Sequence, residues 1–262
     1  MAANDMTGRV AVVTGAGTGI GRAAAIELAR RGARVGVLSH DGANVEATVG
    51  TITGAGGEAV ALVADVRSEE ELTAAYGEVG QRWGRLDMVV ANAGINGVQA
   101  PLDVLTLADW ERTMSNNLTG TFLTVKHALP LLKAQGGAVV VTASVNGTRN
   151  FSNTGATAYS CSKAAQVAFA KVTALELARD KIRVNVICPG AITTDIGDNT
   201  ERRDLDRVKI PVEFPQGNHP LAGGPGKAEQ VAKLIAFLLS DDADHITGTE
   251  VWIDGGESLL IG

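Results

Sequence analysis

Seven short runs rich in valine recur along the chain: RVAVVT (9–14), RVGVLS (34–39), AVALVA (59–64), LDMVVA (86–91), GAVVVTA (137–143), IRVNVI (182–187) and TEVWI (249–253). They lack the strict alternation of apolar and polar residues that marks a strand with one wet face. Runs of this kind predict strands buried on both faces, hence a parallel sheet. The segments between them, such as 19–31, 68–83, 107–134, 157–180 and 227–240, carry helical spacing. Strand and helix in repeated succession predict an α/β fold with a doubly wound, seven-stranded parallel sheet in one domain over 1–262.

Composition bounds the function classes. Of 262 residues, 45% are hydrophobic and 20% charged, enough for a sizeable core. The formal net charge is −6 and no basic block occurs, which argues against a nucleic-acid partner. No continuous apolar stretch reaches the ~18 residues of a membrane span. The start, MAANDMTGR, lacks the basic flank and apolar run of a signal peptide and predicts a short frayed tail. Cys161 and Cys188 lack metal-ligand spacing and suit packing in a reduced, cytoplasmic setting. The four histidines show no ligand spacing either, so no metal is expected; His127 and His245 suit structural or exposed positions. Residues 197–226 hold four of the seven prolines. A long irregular segment after the sixth strand lies at the carboxyl end of the sheet, where such folds bind ligands, and predicts a substrate lid.

Between the first strand and the first helix, TGAGTGIG (14–21) carries four glycines. The first permits a tight turn, the next lets a pyrophosphate approach the backbone, and the last lets helix and strand pack. The helix start then offers free N–H groups and a positive dipole end to phosphate. The spacing T-G-x-x-x-G-x-G resembles that of the short-chain dehydrogenase/reductase family. So do NAG (92–94) after the fourth strand, YSCSK (159–163), CPGAITTD (188–195) after the sixth strand, and VWIDGG (251–256). The resemblance covers about residues 8–257 and implies a Rossmann-type fold, an NAD(P) cofactor and hydride transfer to or from a carbonyl or secondary alcohol.

Tyr159 and Lys163 share one helix face. A free tyrosine, with pKa ~10, is a poor base at neutral pH. A neighbouring ammonium stabilises the phenolate and brings that value toward the working pH. An isolated Tyr-x-x-x-Lys also occurs on ordinary exposed helices; the strand before it and the glycine loop give it weight here. The resemblance implies that Tyr159 is the acid/base, that Lys163 lowers its pKa and holds the nicotinamide ribose, and that Ser144 positions the substrate oxygen. It implies that Asn117, which precedes Leu118, kinks its helix and anchors a water in the proton path; Asn116 is adjacent. Asp65 resembles an adenine contact, and Asn92 the asparagine that steadies the central strands. Ile192 and Thr194 match positions that hold the carboxamide and pyrophosphate. The implied cofactor set is Gly15, Thr18, Gly19, Ile20, Gly21, Ser39, His40, Asp65, Val66, Asn92, Ala93, Gly94, Tyr159, Lys163, Pro189, Gly190, Ile192 and Thr194.

At the end of the second strand, an NAD enzyme of this fold usually places a carboxylate on the ribose 2′-OH. Ser39 and His40 stand there and favour NADP over NAD; Asp41 remains an alternative ribose ligand, for NAD, if the turn shifts by one residue. Helices 107–134 and 157–180 carry apolar residues on more than one face and need a further partner; the family resemblance implies a homotetramer. The rivals are a cofactor-sensing regulator without turnover, and an epimerase or dehydratase of the same fold. Retention of all four catalytic residue types argues against the first, and the glycine spacing against the second. Fold does not choose among a sugar, a steroid, an acyl thioester and a small ketone as substrate.

Overall fold

A computed structural model describes residues 5–194, 197, 200–214, 217–221 and 223–260. Positions 1–4 of the expected frayed tail, Asp195 of the motif at 188–195, and positions 198, 199, 215, 216 and 222 of the expected lid lie outside the described residues. The chain is packed from Met6 onward: its side chain is buried and its N–H donates to Arg31 O at 2.8 Å.

The seven expected strands form one parallel sheet. They are β1 (Val10–Thr14), β2 (Arg34–Ser39), β3 (Glu58–Val63), β4 (Met88–Ala91), β5 (Gly137–Thr142), β6 (Ile182–Pro189) and β7 (Glu250–Ile253). Their spatial order is β7-β6-β5-β4-β1-β2-β3. In β1, Val10 and Val12 join one apolar cluster while Ala11 and Val13 join the other. Successive strand side chains point to opposite faces, so both faces need apolar residues and alternation disappears. Each fully buried valine or leucine contributes about 1.5–3 kcal/mol relative to exposure.

Helices cover both faces: α1 (Gly19–Arg30), α2 (Gly42–Gly54), α3 (Glu69–Trp83), α4 (Leu107–Met114), α5 (Gly120–Leu132), α6 (Thr157–Leu177) and α7 (Ala228–Leu239). Local signals set their ends. Ser68 caps α3 by accepting from Glu71 N, three glutamates fill its first turn, and Gly84 ends it in the left-handed region at φ 69°. The chain runs outward from β1 to β3, then returns to β4 on the other side of β1. That reversal leaves a crevice at the carboxyl ends of β1 and β4.

Two features differ from the sequence expectation. The helix expected over 107–134 is two helices joined through a π-helical turn at Ser115–Thr119. The segment expected to be irregular also contains order. Thr200–Arg202 pairs in parallel with Gly97–Gln99, and Ile192–Thr193 pairs with Gly226–Lys227. Arg203 bonds Asp109 at 2.8 Å and Arg207 bonds Asp103 at 2.7 Å. These partners lie far away in sequence, so no local pattern announces them.

Candidate active site

The crevice is a cleft of about 900 Å³. Its floor is the turn from β1 into α1. Gly15 has φ +64°, and a Cβ there would sit 2.9 Å from Ala93 Cα. A Cβ at Gly21 would fall 2.2 Å from Gly15 O and 2.6 Å from Asn92 Nδ2, so only glycine lets the helix lie against the strand end. Gly19, at φ +53°, faces Thr194, whose Cβ would be 3.3 Å from an added Cβ. Thr18 precedes α1 in an extended conformation and offers its N–H groups no side-chain cap; the first turn carries no acid. The helix start therefore presents unsatisfied donors and a positive dipole end to the cleft.

Asn92 fastens the floor. Its N–H donates to Thr14 Oγ1 at 3.0 Å and its Nδ2 to Thr14 O at 3.1 Å, tying β4 to β1. Ala93 N also donates to Thr14 Oγ1. Gly94 stands where two buried groups converge: a Cβ there would be 3.3 Å from Asn117 Oδ1 and 3.4 Å from Lys163 Nζ. On the far wall β6 ends at Pro189, and Gly190 N donates to Ile253 O at 3.1 Å.

At one end of the cleft lie Ser39, His40, Asp41, Asn44, Asp65 and Val66. Asp41 caps α2: its carboxylate accepts from Asn44 N at 3.1 Å and Asn44 Nδ2 at 2.7 Å. Asp65 is gripped by Arg67, whose Nε lies 3.0 Å from both carboxylate oxygens and whose NH2 group lies 2.6 Å from Oδ2. That guanidinium, with a smaller contribution from His40, holds the Asp65 carboxyl below its ordinary range. Sequence reasoning missed Arg67 and Asn44, although each lies within three residues of a singled-out aspartate.

The middle of the cleft holds Ser144, Tyr159 and Lys163, all buried. Ser144 follows β5 directly, and Tyr159 and Lys163 stand one turn apart on α6. Burial pushes the Tyr159 hydroxyl up from 10.0, and a hydrogen bond with Ser144 pulls the other way. Burial lowers Lys163 from 10.5 to about 8. Its Nζ donates to Thr142 O at 2.9 Å and sits 5.6 Å from the centre of the Tyr159 ring. The expected lowering of the phenol by the ammonium is thus not the dominant influence here. Desolvation acts on both groups and disfavours both charged forms.

Asn117 lies in the π-helical turn, fully buried, whereas Asn116 lines the cleft. Asn117 Oδ1 accepts from Ile95 N at 2.8 Å, and its Nδ2 donates to Ile95 O and Ser162 Oγ, each at 2.9 Å. Ser162 Oγ in turn donates to Tyr159 O at 2.7 Å. The Asn117 carbonyl accepts from Gln166 Nε2 at 2.8 Å and Thr121 Oγ1 at 2.7 Å, which uses both lone pairs. Side-chain donors thus occupy the Asn117 carbonyl, and Lys163 Nζ donates to Thr142 O, while Asn117 Oδ1 and Lys163 Nζ both lie against Gly94. The π turn swings Asn117 into this network, and Gln166 gave no sequence signal beyond helical spacing.

Every residue of the implied site except Gly21 and Asn117 lines the cleft; those two lie just beneath its surface. Among the described residues, no three His, Cys, Asp or Glu side chains gather as metal ligands do, and no helix is long and apolar enough to cross a membrane. A dinucleotide fits what is present: a glycine cradle that a Cβ would fill, an uncapped helix start for phosphate, and a buried hydroxyl with its amine at the reacting end.

Comparison with known proteins agrees with this geometry. The family model described as enoyl-(acyl carrier protein) reductase matches residues 15–258. Levodione reductase of Leifsonia aquatica is 38% identical over 258 residues, spanning 96% of this chain and 95% of its own. The crystal structure of a 3-ketoacyl-ACP reductase from Sinorhizobium meliloti 1021 is 52% identical with a TM-score of 0.93, spanning 96% of this chain and 100% of that one. That of 3-ketoacyl-(acyl-carrier-protein) reductase from Brucella melitensis, complexed with NADH, is 29% identical with a TM-score of 0.84, spanning 96% and 99%.

Proposed function

The chain belongs to the short-chain dehydrogenase/reductase family, and we propose that Tyr159 is its general acid and base, with Ser144, Lys163 and Asn117 as its supporting groups. The protein is an NAD(P)-dependent oxidoreductase acting on CH–OH groups and the corresponding carbonyls. The nicotinamide, when bound, supplies or takes up the hydride. The chain's own residues handle the oxygen and its proton. Ser144 aims a hydroxyl at the substrate oxygen, where charge develops. Tyr159 gives that oxygen a proton in reduction and takes one in oxidation. Lys163, buried beside it, supplies positive charge when protonated. Asn117 is a positioning residue that fixes Ile95 on one side and the start of α6 on the other.

The observation that carries this reading is the buried Tyr159, one helical turn from the buried Lys163 and lining, with Ser144, the same cleft as the uncapped start of α1. Tyr159→Phe is expected to lower kcat by about 10²-fold or more while leaving cofactor binding nearly intact. A variant with near-normal kcat overturns the assignment.

Four finer points belong to the same proposal. NADP is the preferred cofactor: the Asp41 carboxylate is occupied in capping α2, Arg67 neutralises Asp65, and Ser39 and His40 do not repel a 2′-phosphate. The enzyme is a homotetramer: Val172 and Leu175 on α6 are 66% and 82% exposed, on the same face as exposed Ala164 and Ala168, and Phe122 on α5 adds to the uncovered apolar surface. Its setting is the reducing cytoplasm, supported by an exposed free thiol at Cys161. Residues 197–226 form a substrate lid, hinged where 192–193 meets 226–227 and pinned at 200–207 by the Arg203 and Arg207 ion pairs.

A further inference from the structure

Beyond Ser144 and Tyr159, the lining of the cleft carries a group of amides and a carboxylate that forms a polar wall for the substrate. Asn146, Asn150 and Asn153 lie in the stretch that joins those two residues, Asn96 follows β4, and Glu257 follows β7; all five line the cleft. Ile95 and Val145 stand beside them in the lining. The polar atoms are only partly used within the protein. Asn146 Oδ1 is buried and accepts no hydrogen bond among the described residues. Asn150 Oδ1 accepts from Ser152 N at 3.1 Å and Ser152 Oγ at 2.8 Å, which fixes the side chain and leaves its amino group. Asn96 Nδ2 donates to Thr200 Oγ1 at 2.8 Å, which leaves its carbonyl oxygen. Glu257 Oε2 accepts from Ala191 N at 3.1 Å, which leaves Oε1.

We propose that the substrate is an uncharged polyhydroxylated alcohol or its carbonyl form, of the sugar, polyol or cyclitol class, recognised through its hydroxyls by this wall. The inference rests on the reading of Tyr159 and Ser144 above. The positions open to a ligand mix acceptors (Asn96 Oδ1, Glu257 Oε1) with a donor (Asn150 Nδ2). A hydroxyl both donates and accepts, so neighbouring hydroxyls on one ring or chain satisfy such a mixture. A steroid or an acyl chain does not. Seated here it would cover these groups without pairing them. Glu257 also disfavours an anionic substrate. Three of the wall's amides come from the segment between Ser144 and Tyr159, so the wall is fixed relative to the reacting oxygen.

The test is a comparison of kcat/KM, with NAD and with NADP, for myo-inositol, xylitol and sorbitol against cyclohexanol in oxidation, and for acetoacetyl-coenzyme A in reduction. At least one polyol is expected to exceed cyclohexanol by about 100-fold, in line with sites that reject an analogue lacking the hydroxyl they bind. In Asn150→Leu that ratio is expected to fall about tenfold or more, through KM for the polyol rather than kcat. Asn153→Leu, at an exposed position, gives a second readout should Asn150→Leu fold poorly. Preference for cyclohexanol or the thioester, or a ratio unmoved in both variants, overturns the proposal while the cofactor still turns over and the oxidoreductase reading stands. Turnover of none of the five compounds with either cofactor overturns the substrate class alone, since the catalytic assignment stands or falls with Tyr159→Phe on whichever carbonyl compound is reduced.

Discussion

Lys163 carries a penalty that pH can lift. Burial lowers its pKa from 10.5 to about 8. At pH 7 it is protonated in both the folded and the unfolded chain, so the folded state bears the whole cost of a buried ammonium. Between pH 8 and 10.5 the unfolded chain holds more protons than the folded one, and stability rises with pH across that window. At about 1.4 kcal/mol per pH unit, the gain is about 3 kcal/mol. Lys163→Met removes it, together with the pH-independent hydrogen bond to Thr142 O. The stability of the variant minus that of the parent should therefore fall by about 3 kcal/mol between pH 7 and pH 10.5. Cys188, raised from 9.0 to about 11, and Tyr159, also raised, lose stability in the alkaline range but do so in both proteins and largely cancel in the difference. The assay is urea denaturation followed by tryptophan fluorescence at pH 7, 8, 9 and 10, at one fixed protein concentration because subunit association adds to apparent stability. A difference that stays flat over this range would falsify the depressed lysine.

Gly21→Ala places a Cβ 2.2 Å from Gly15 O, so the loop or the helix must shift; a loss of about 1–3 kcal/mol in urea denaturation and a weaker cofactor Kd are expected, and an unchanged Kd counts against the cradle. His40→Asp should lower kcat/KM for NADP more than for NAD, because it sets a carboxylate against the 2′-phosphate. A native preference for NAD refutes that reading. Hydrogen exchange in 208–214 should slow when cofactor and substrate are both present, while 200–202, paired with 97–99, should be the better protected part of the lid in either state; equal rates in 208–214 with and without ligand refute closure.

The parts of the fold visible in the sequence are those governed by local pattern. The seven valine-rich runs stand out because a strand covered on both faces cannot tolerate polar alternation. The glycine loop stands out because Gly15 and Gly21 meet backbone where any side chain would collide. What the sequence hid depends on contacts far apart in the chain. The family resemblance implied a kink at Asn117, but nothing in Ser115–Thr119 showed that the π turn there brings Asn117 to Ile95 and Ser162. The strand pair between 97–99 and 200–202 joins segments about 100 residues apart. The depressed Lys163 was hidden for a different reason: spacing shows that it adjoins Tyr159 but not how deeply both are buried.

The cleft divides its tasks along the chain in a way that explains how one scaffold carries many specificities. In the proposed reading, cofactor choice sits at the end of β2 and the start of α2, where Asn44 holds the Asp41 carboxylate. Substrate choice, on the same reading, sits in the segment from Asn146 to Asn153, where Ser152 holds the Asn150 side chain, and at Glu257. Neither set shares a hydrogen bond with the buried network of Asn117, Ser162 and Gln166 that holds Tyr159 in place. Groups without common partners contribute almost independently. Changes at the cofactor end can therefore retune what is bound while the geometry of proton transfer, fixed from beneath by α6 and the π turn, stays as it is; the substrate end is tied more closely, because Asn146 N donates to Ser144 Oγ at 3.2 Å.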